Sequence, residues 1–279
     1  MYGNMRVIMY KGGDIMIKIA IIGGTGLYDP RILDNVRDGT VVTPYGEVTY
    51  KVGEFSGQAV AFIPRHGSAH SIPPHLINYR ANIWALKKLG VTNVIASTAV
   101  GSLNPKMGGG DFVLVDQFLD FTKSRVATFY DGGDRGVVHV DVTQPYCSNL
   151  RAILLNAAQE IGIPIHASGT YVCTEGPRFE TPAEIKAYAK LGGDLVGMTN
   201  VPEVVLAREA EMCYVTVSMV TNFAAGISPH PLTHGEVLET MAANTEKIKR
   251  LIMAAIAKID TKEDCACRHA LAEYGGFKL

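Results

Sequence analysis

The sequence predicts an α/β fold, and its patterning carries that expectation in several ways. Short runs rich in β-branched residues alternate with longer amphipathic stretches along the whole chain. Several runs are nearly continuous in apolar residues, as strands of a largely buried sheet are. Small and hydroxyl residues gather just after them, where loops at strand ends carry function.

Strands are expected at 17–22, 48–52, 59–63, 94–97, 112–115, 165–172 and 214–220. Helices are expected at 76–89, 148–161, 181–191, 201–211 and 234–259. Ser148 is the expected N-cap of the second helix, its hydroxyl accepting from an early backbone N–H. Thr181 caps the third, followed by Pro182 at a first helical position that has no use for an N–H. No linker, tandem repeat or low-complexity segment interrupts the pattern, so 17–260 is read as one domain and 261–279 as a C-terminal tail. Residues 1–16 show neither period nor caps and are read as a non-native or disordered extension. Lys11-Gly12-Gly13-Asp14 is encodable by a purine-rich stretch like a bacterial ribosome-binding site, which would make Met16 the start.

With 47% apolar and 19% charged residues in 279, the chain can bury a substantial core. A net charge of −1 without a dense Lys/Arg run argues against nucleic acid and anionic membranes and for a small-molecule substrate. No apolar stretch approaches the roughly 20 residues of a spanning helix, and no h-region precedes a cleavage site, so a cytoplasmic protein is expected. The cysteines 147, 173, 213, 265 and 267 form no CxxC pair, which argues against a metal site. Cys265-Ala266-Cys267 stays open between a strained disulfide, a redox-labile pair and unremarkable thiols.

Three turns could hold an anion. Gly23-Gly24-Thr25-Gly26 follows the first strand, where backbone N–H groups and the Thr25 hydroxyl can converge on a phosphate. A dinucleotide site would need GxGxxG opening a helix, and Asp29-Pro30 interrupts it. Arg65-His66-Gly67 brings a fork-shaped cation and an imidazole after another strand, and Ser97-Thr98-Ala99-Val100-Gly101-Ser102 adds hydroxyls and small residues. Each has a bland reading as an ordinary turn. Glu180 and Asn222 suggest something more specific. A buried carboxylate accepting from N1–H, beside a carboxamide donating to O6, reads the edge of hypoxanthine or guanine, while adenine inverts both groups.

Together with Thr174-Glu175-Gly176-Pro177-Arg178-Phe179-Glu180-Thr181 and Gly197-Met198-Thr199-Asn200-Val201-Pro202-Glu203, these motifs resemble the trimeric purine nucleoside phosphorylase and methylthioadenosine phosphorylase family over residues 17–260. The resemblance implies a single α/β domain with a mixed central sheet flanked by helices, and phosphorolysis of an N-glycosidic bond. It implies a phosphate site of Thr25, Arg65, His66, Thr98, Ala99 and Thr199. Phe179 and Met198 would flank base and ribose, Glu180 and Asn222 would recognise the purine, and His66 would join that pair in catalysis. His139 would reach the neighbouring subunit's site in a trimer or a dimer of trimers, and His70 would lie near the ribose. Phosphate is then a co-substrate, and neither a cofactor nor a metal is expected.

Two branches of that family differ at interpretable positions. The methylthioadenosine-cleaving branch tends to carry aspartates at the positions of Asn222 and Ala224 and a small polar residue at that of Glu180. This chain departs from all of these, which points to 6-oxopurines. His234 aligns with a histidine that binds a 5′-hydroxyl, favouring inosine and guanosine, whereas Met198, Val237 and Leu238 look like the methylthio branch and keep methylthioinosine open. A nucleoside hydrolase, a purine-binding protein without turnover and a Rossmann dehydrogenase are the other classes. Activity without phosphate, binding without turnover and nicotinamide binding would respectively reveal them.

Overall fold

The computed structural model describes residues 16–23, 33–67, 71–227 and 234–279. Residues 1–15, the turn after Gly23 with Thr25, and His70 lie outside that description.

In chain order the strands are β1 (Ile19–Gly23), β2 (Asp34–Thr43), β3 (Gly46–Phe55), β4 (Gln58–Pro64), β5 (Asn93–Ser102), β6 (Phe112–Leu114), β7 (Gln117–Phe121), β8 (Thr170–Thr174), β9 (Leu195–Gly197) and β10 (Cys213–Phe223). They form one mixed sheet, in which β4, β1, β5 and β10 are parallel neighbours. The helices are α1 (Tyr79–Lys88), α2 (Ser148–Glu160), α3 (Pro182–Lys190), α4 (Asn200–Glu209) and α5 (His234–Ile256). Alternate residues of a strand point to opposite faces, and β1 illustrates the result. Ala20 and Ile22 join the core under α1 and α4 with Trp84 and Leu206. Ile19 and Ile21 join the core under α2 and α5 with Leu154 and Ile252.

The expected mixed-sheet α/β architecture is present, and its departures from expectation have local causes. β2 is a polar edge strand, seven of whose ten residues read as exposed or half-exposed before Val41, so no apolar alternation marks it. β7 and β9 are short pieces inside motif-bearing segments. The strand expected from 165 begins only at Thr170, and a single bridge joins His166 to Val113 upstream of it. The first helix starts at Tyr79 rather than 76, because Pro74–Leu76 forms a 3-10 turn and the Asn78 side chain accepts from the Ala81 amide as N-cap. Cys147, not Ser148, caps α2, its sulfur accepting from Leu150 N–H. Thr181 caps α3 as expected, within a full capping box completed by Glu184.

Residues 261–279 fold back onto the domain. Glu211 accepts from the amides of Leu271 and Phe277, and the Phe277 ring packs 5.2 Å from both Trp84 and Phe129. Among the described residues no helix is long and apolar enough to cross a membrane.

Candidate active site

The site lies where β5 changes partners. One edge of β5 runs along β10 for its whole length. The other edge pairs with β1 over Asn93–Ala96, and with β9 only from Gly101. Between those pairings the sheet splits at the carboxyl ends of its strands, the position at which open α/β sheets bind ligands. The resulting cleft encloses about 730 Å³ including its mouth, within the ~300–1,000 Å³ of small-molecule sites.

Arg65, His66, Thr98, Ala99 and Thr199, the described residues expected at the phosphate, all line this cleft. The Arg65 amide donates to the Gly23 carbonyl at 3.0 Å, so the Arg65 loop does meet the start of the glycine turn. The guanidinium is fully buried and already paired. Nε and Nη2 donate to the two Glu203 oxygens at 2.7 Å, and Nη1 donates to the Ser97 carbonyl at 2.8 Å. Burial opposes the charge of Arg65, but the attraction of Glu203 and its hydrogen bonds outweigh that and raise the pKa. One N–H remains on each terminal nitrogen. Arg65 therefore offers fixed donors whose charge Glu203 has largely matched.

Glu203 is held in turn. Tyr214 donates to it at 2.7 Å, Thr216 donates to Tyr214 at 3.3 Å, and Asn200 Nδ2 donates to Thr216 at 2.7 Å. Tyr146 completes this buried chain on Asn200 Oδ1. His66 is fixed by Nδ1 on the Ile72 carbonyl at 2.8 Å, and Thr98 shares a 2.8 Å hydroxyl contact with Ser218. The Thr199 amide donates to the Tyr171 hydroxyl at 3.3 Å. Tyr171 sits so close to Gly197 that a methyl there would overlap its ring and hydroxyl. Gly197→Ala should cost about 1–3 kcal/mol by overpacking, and should weaken phosphate binding as Thr199 loses its anchor. A phosphate KM and melting temperature equal to the parent's would reject this.

Phe179, Glu180, Met198, Asn222, Ala224 and Val237, expected at the purine and ribose, line the same cleft. Glu180 ends the loop after β8, one residue before the α3 cap, and its Oε1 accepts from Thr174 at 2.7 Å. Asn222 follows a register shift in β10 between Val220 and Asn222, a bulge that re-aims the side chain beside Gly101. Its Oδ1 accepts from Thr221 at 2.7 Å and its Nδ2 donates to the Phe223 carbonyl at 2.8 Å. One carboxamide hydrogen, one carboxamide lone pair and the second Glu180 oxygen remain for a ligand. The pair is half-buried rather than buried as expected, since both residues stand at the open side of the cleft, and Phe179 beside them is 48% exposed.

His139 is exposed and lies outside the cleft of its own chain. The side chain of His234 lies outside the described residues.

The sequence pattern of the Phosphorylase superfamily matches residues 18–257. The chain belongs to that superfamily. It is accordingly an enzyme of the phosphorylase type. It is 59% identical over 258 residues to a probable 6-oxopurine nucleoside phosphorylase of Dictyoglomus turgidum, covering 92% of this chain and 98% of that protein. It is 58% identical over 261 residues to the 6-oxopurine nucleoside phosphorylase of Pyrococcus furiosus, with the same two coverages. A probable S-methyl-5′-thioinosine phosphorylase of Methanothermobacter thermautotrophicus is 51% identical over 255 residues, 91% of this chain and 88% of that protein. Among solved structures, methylthioadenosine phosphorylase from Schistosoma mansoni in complex with adenine superposes with a TM-score of 0.87 at 35% identity, covering 92% of this chain and 96% of that one.

Two residues that organise this phosphorylase site had no role assigned from sequence. Glu203 stands inside a quoted motif, but only the fold reveals that it neutralises Arg65. Arg125 ties the end of β8 to the start of α4, with Nη1 donating to the Val201 carbonyl at 2.7 Å and Nη2 to the carbonyls of Thr174 and Glu175 at 3.1 and 2.8 Å. It precedes no strand and sits in no glycine-rich turn, so no local signal singles it out.

Proposed function

We propose that this phosphorylase cleaves the N-glycosidic bond of 6-oxopurine nucleosides, inosine and guanosine, with inorganic phosphate, releasing free base and ribose 1-phosphate for purine salvage. The observation that carries this reading is that Glu180 and Asn222 line the same cleft as Arg65, Thr98 and Thr199. Glu180 Oε2 accepts N1–H, and the remaining Asn222 N–H donates to O6. The names of the Dictyoglomus and Pyrococcus relatives support the same substrate class.

In this mechanism the C1′–N9 bond breaks with its electron pair passing to the purine, which takes up a proton at N7, balanced by the proton that hydrogen phosphate loses on becoming the ester. Asn222 Oδ1 accepts from that N7–H, an interaction gained as the leaving group forms. Positive charge develops at C1′, and an oxygen of phosphate, aligned by Arg65, His66, Thr98, Ala99, Thr199 and Thr25, stabilises it and then bonds to it. No covalent enzyme intermediate, cofactor or metal enters this scheme.

A second reading, phosphorolysis of methylthioinosine, is favoured by Met198 and Val237 on the cleft wall, by the family pattern at Leu238 and by the name of the Methanothermobacter relative. Methylthioadenosine is the lesser alternative. The assembly we infer is a trimer or a dimer of trimers, in which exposed His139 of one subunit meets the open cleft beside Phe179 of the next. A reducing cytoplasm suits five cysteines of which none is paired as a disulfide.

Base release from inosine, guanosine, methylthioinosine and methylthioadenosine, with and without phosphate, tests the proposal. Rapid phosphate-dependent release from the 6-oxopurines is expected. Methylthioadenosine as the best substrate by far, release without phosphate, or binding without turnover would each overturn it.

A further inference from the structure

The beginning of β10, at the other end of the strand from Asn222, holds a second cluster of reactive groups. Cys147 at the N-cap of α2, Cys213 at the first position of β10, and Cys265 and Cys267 of the folded-back tail bring their four sulfurs within 4.8 Å of one another. Cys147 and Cys265 are 3.7 Å apart. A tetrahedral ion with metal–sulfur bonds of about 2.3 Å separates its sulfurs by roughly 3.8 Å. The four sulfurs thus stand close to the vertices such an ion requires. A polynuclear iron–sulfur cluster would hold them farther apart, around several metals.

The surroundings also suit a bound ion. Three of the four cysteines are buried, and Cys265 is partly exposed, which leaves an entry path. The Leu150 amide directs its N–H at Cys147 Sγ from the first turn of α2, an outer hydrogen bond of the kind that orients metal ligands. Arg268 lines the same crevice as Cys147, Cys213 and Cys265, and its Nε is buried with no hydrogen-bond partner. Four thiolates around a divalent cation leave an excess charge of −2, half of which the neighbouring guanidinium offsets.

We propose that these four cysteines form a structural zinc site. An all-sulfur set selects a soft or borderline ion, and four protein ligands close the coordination shell with no position for a substrate. Binding displaces four thiol protons to solvent as four zinc–sulfur bonds form. The ion joins the loop before α2, the start of β10 and the tail, segments up to 120 residues apart in sequence. It does not take part in phosphorolysis, since nine residues of extended strand, roughly 30 Å, separate Cys213 from Asn222. Spacing rules miss such a site because only Cys265 and Cys267 are neighbours in the chain.

The test uses the full chain purified under reducing, oxygen-free conditions. Metal analysis should return one zinc per chain. After zinc is removed, titration with Co²⁺ should develop the visible d–d bands of tetrahedral tetrathiolate cobalt, saturate at one equivalent and bleach on adding Zn²⁺. C265S/C267S should lose the bands and the zinc, and its melting temperature should no longer rise with added Zn²⁺, while its kcat/KM for nucleoside at low temperature stays near the parent value. If that variant fails to fold, C265S alone should shift the cobalt bands toward a three-sulfur spectrum. Five titratable thiols in denaturant with no zinc and no cobalt bands would overturn the proposal. So would an intact mass short by two or four hydrogens, which would show that the sulfurs are paired as disulfides.

Discussion

Replacing Glu203 by Gln should lower the melting temperature on the order of 10 °C and raise the phosphate KM far more than the nucleoside KM. The Arg65–Glu203 pair is wholly enclosed, with both side chains at 0% exposure. Breaking such a pair by removing one charge costs about 3–5 kcal/mol, because the other is left buried and uncompensated. The kinetic effect has a separate origin. The two Glu203 oxygens fix the plane of the Arg65 fork, and a carboxamide accepts at only one of them. Adding Arg65→Met to Glu203→Gln should recover much of the stability by removing the orphaned charge, yet leave phosphate affinity lost. Thermal melts with phosphate-dependent kinetics separate the two effects. A single variant with unchanged melting temperature and phosphate KM would remove Glu203 from this role.

Asn222→Asp should lower kcat/KM for inosine by roughly 10²–10³-fold, the loss seen when one donor to a developing charge is removed, and should raise the relative turnover of 6-aminopurine nucleosides. Aspartate accepts from both a 6-amino group and N7–H but opposes a 6-oxygen. The exchange stays incomplete while Glu180 sets a carboxylate against the N1 lone pair of adenine. Adding Glu180→Gln to Asn222→Asp should therefore move preference further toward adenosine than either change alone. The inosine-to-adenosine ratio of kcat/KM measures this. A ratio untouched by Asn222→Asp would separate that residue from base recognition.

Much of this site is legible in sequence because its parts sit at strand ends with unusual composition. Arg65 and His66 directly follow β4, Thr98 and Ala99 interrupt an apolar strand with small residues, and Asn222 stands next to last in β10. What resists reading is whatever depends on three-dimensional partnership. Arg65 reads as a free cation until Glu203, 138 residues away, is seen on it. Arg125 acts largely through the backbone carbonyls of Thr174, Glu175 and Val201, which leave no mark on composition. Glu180 and Asn222 were expected to be buried from their chemistry, whereas a single chain leaves that side of the cleft open. β2 and β9 escape because an exposed edge strand has no apolar period and a three-residue strand has no period at all.

The change of partners along β5 also works as a caliper. Thr98 is one of the proposed phosphate ligands, while Gly101, three residues on along the same cleft, backs the Asn222 amide. Those residues span roughly 10 Å of extended chain, and a strand hydrogen-bonded to β10 along its whole length cannot stretch. A molecule joining an anionic mimic to a purine mimic must therefore match that length. Linkers one atom longer or shorter should lose affinity on both sides of an optimum rather than being accommodated.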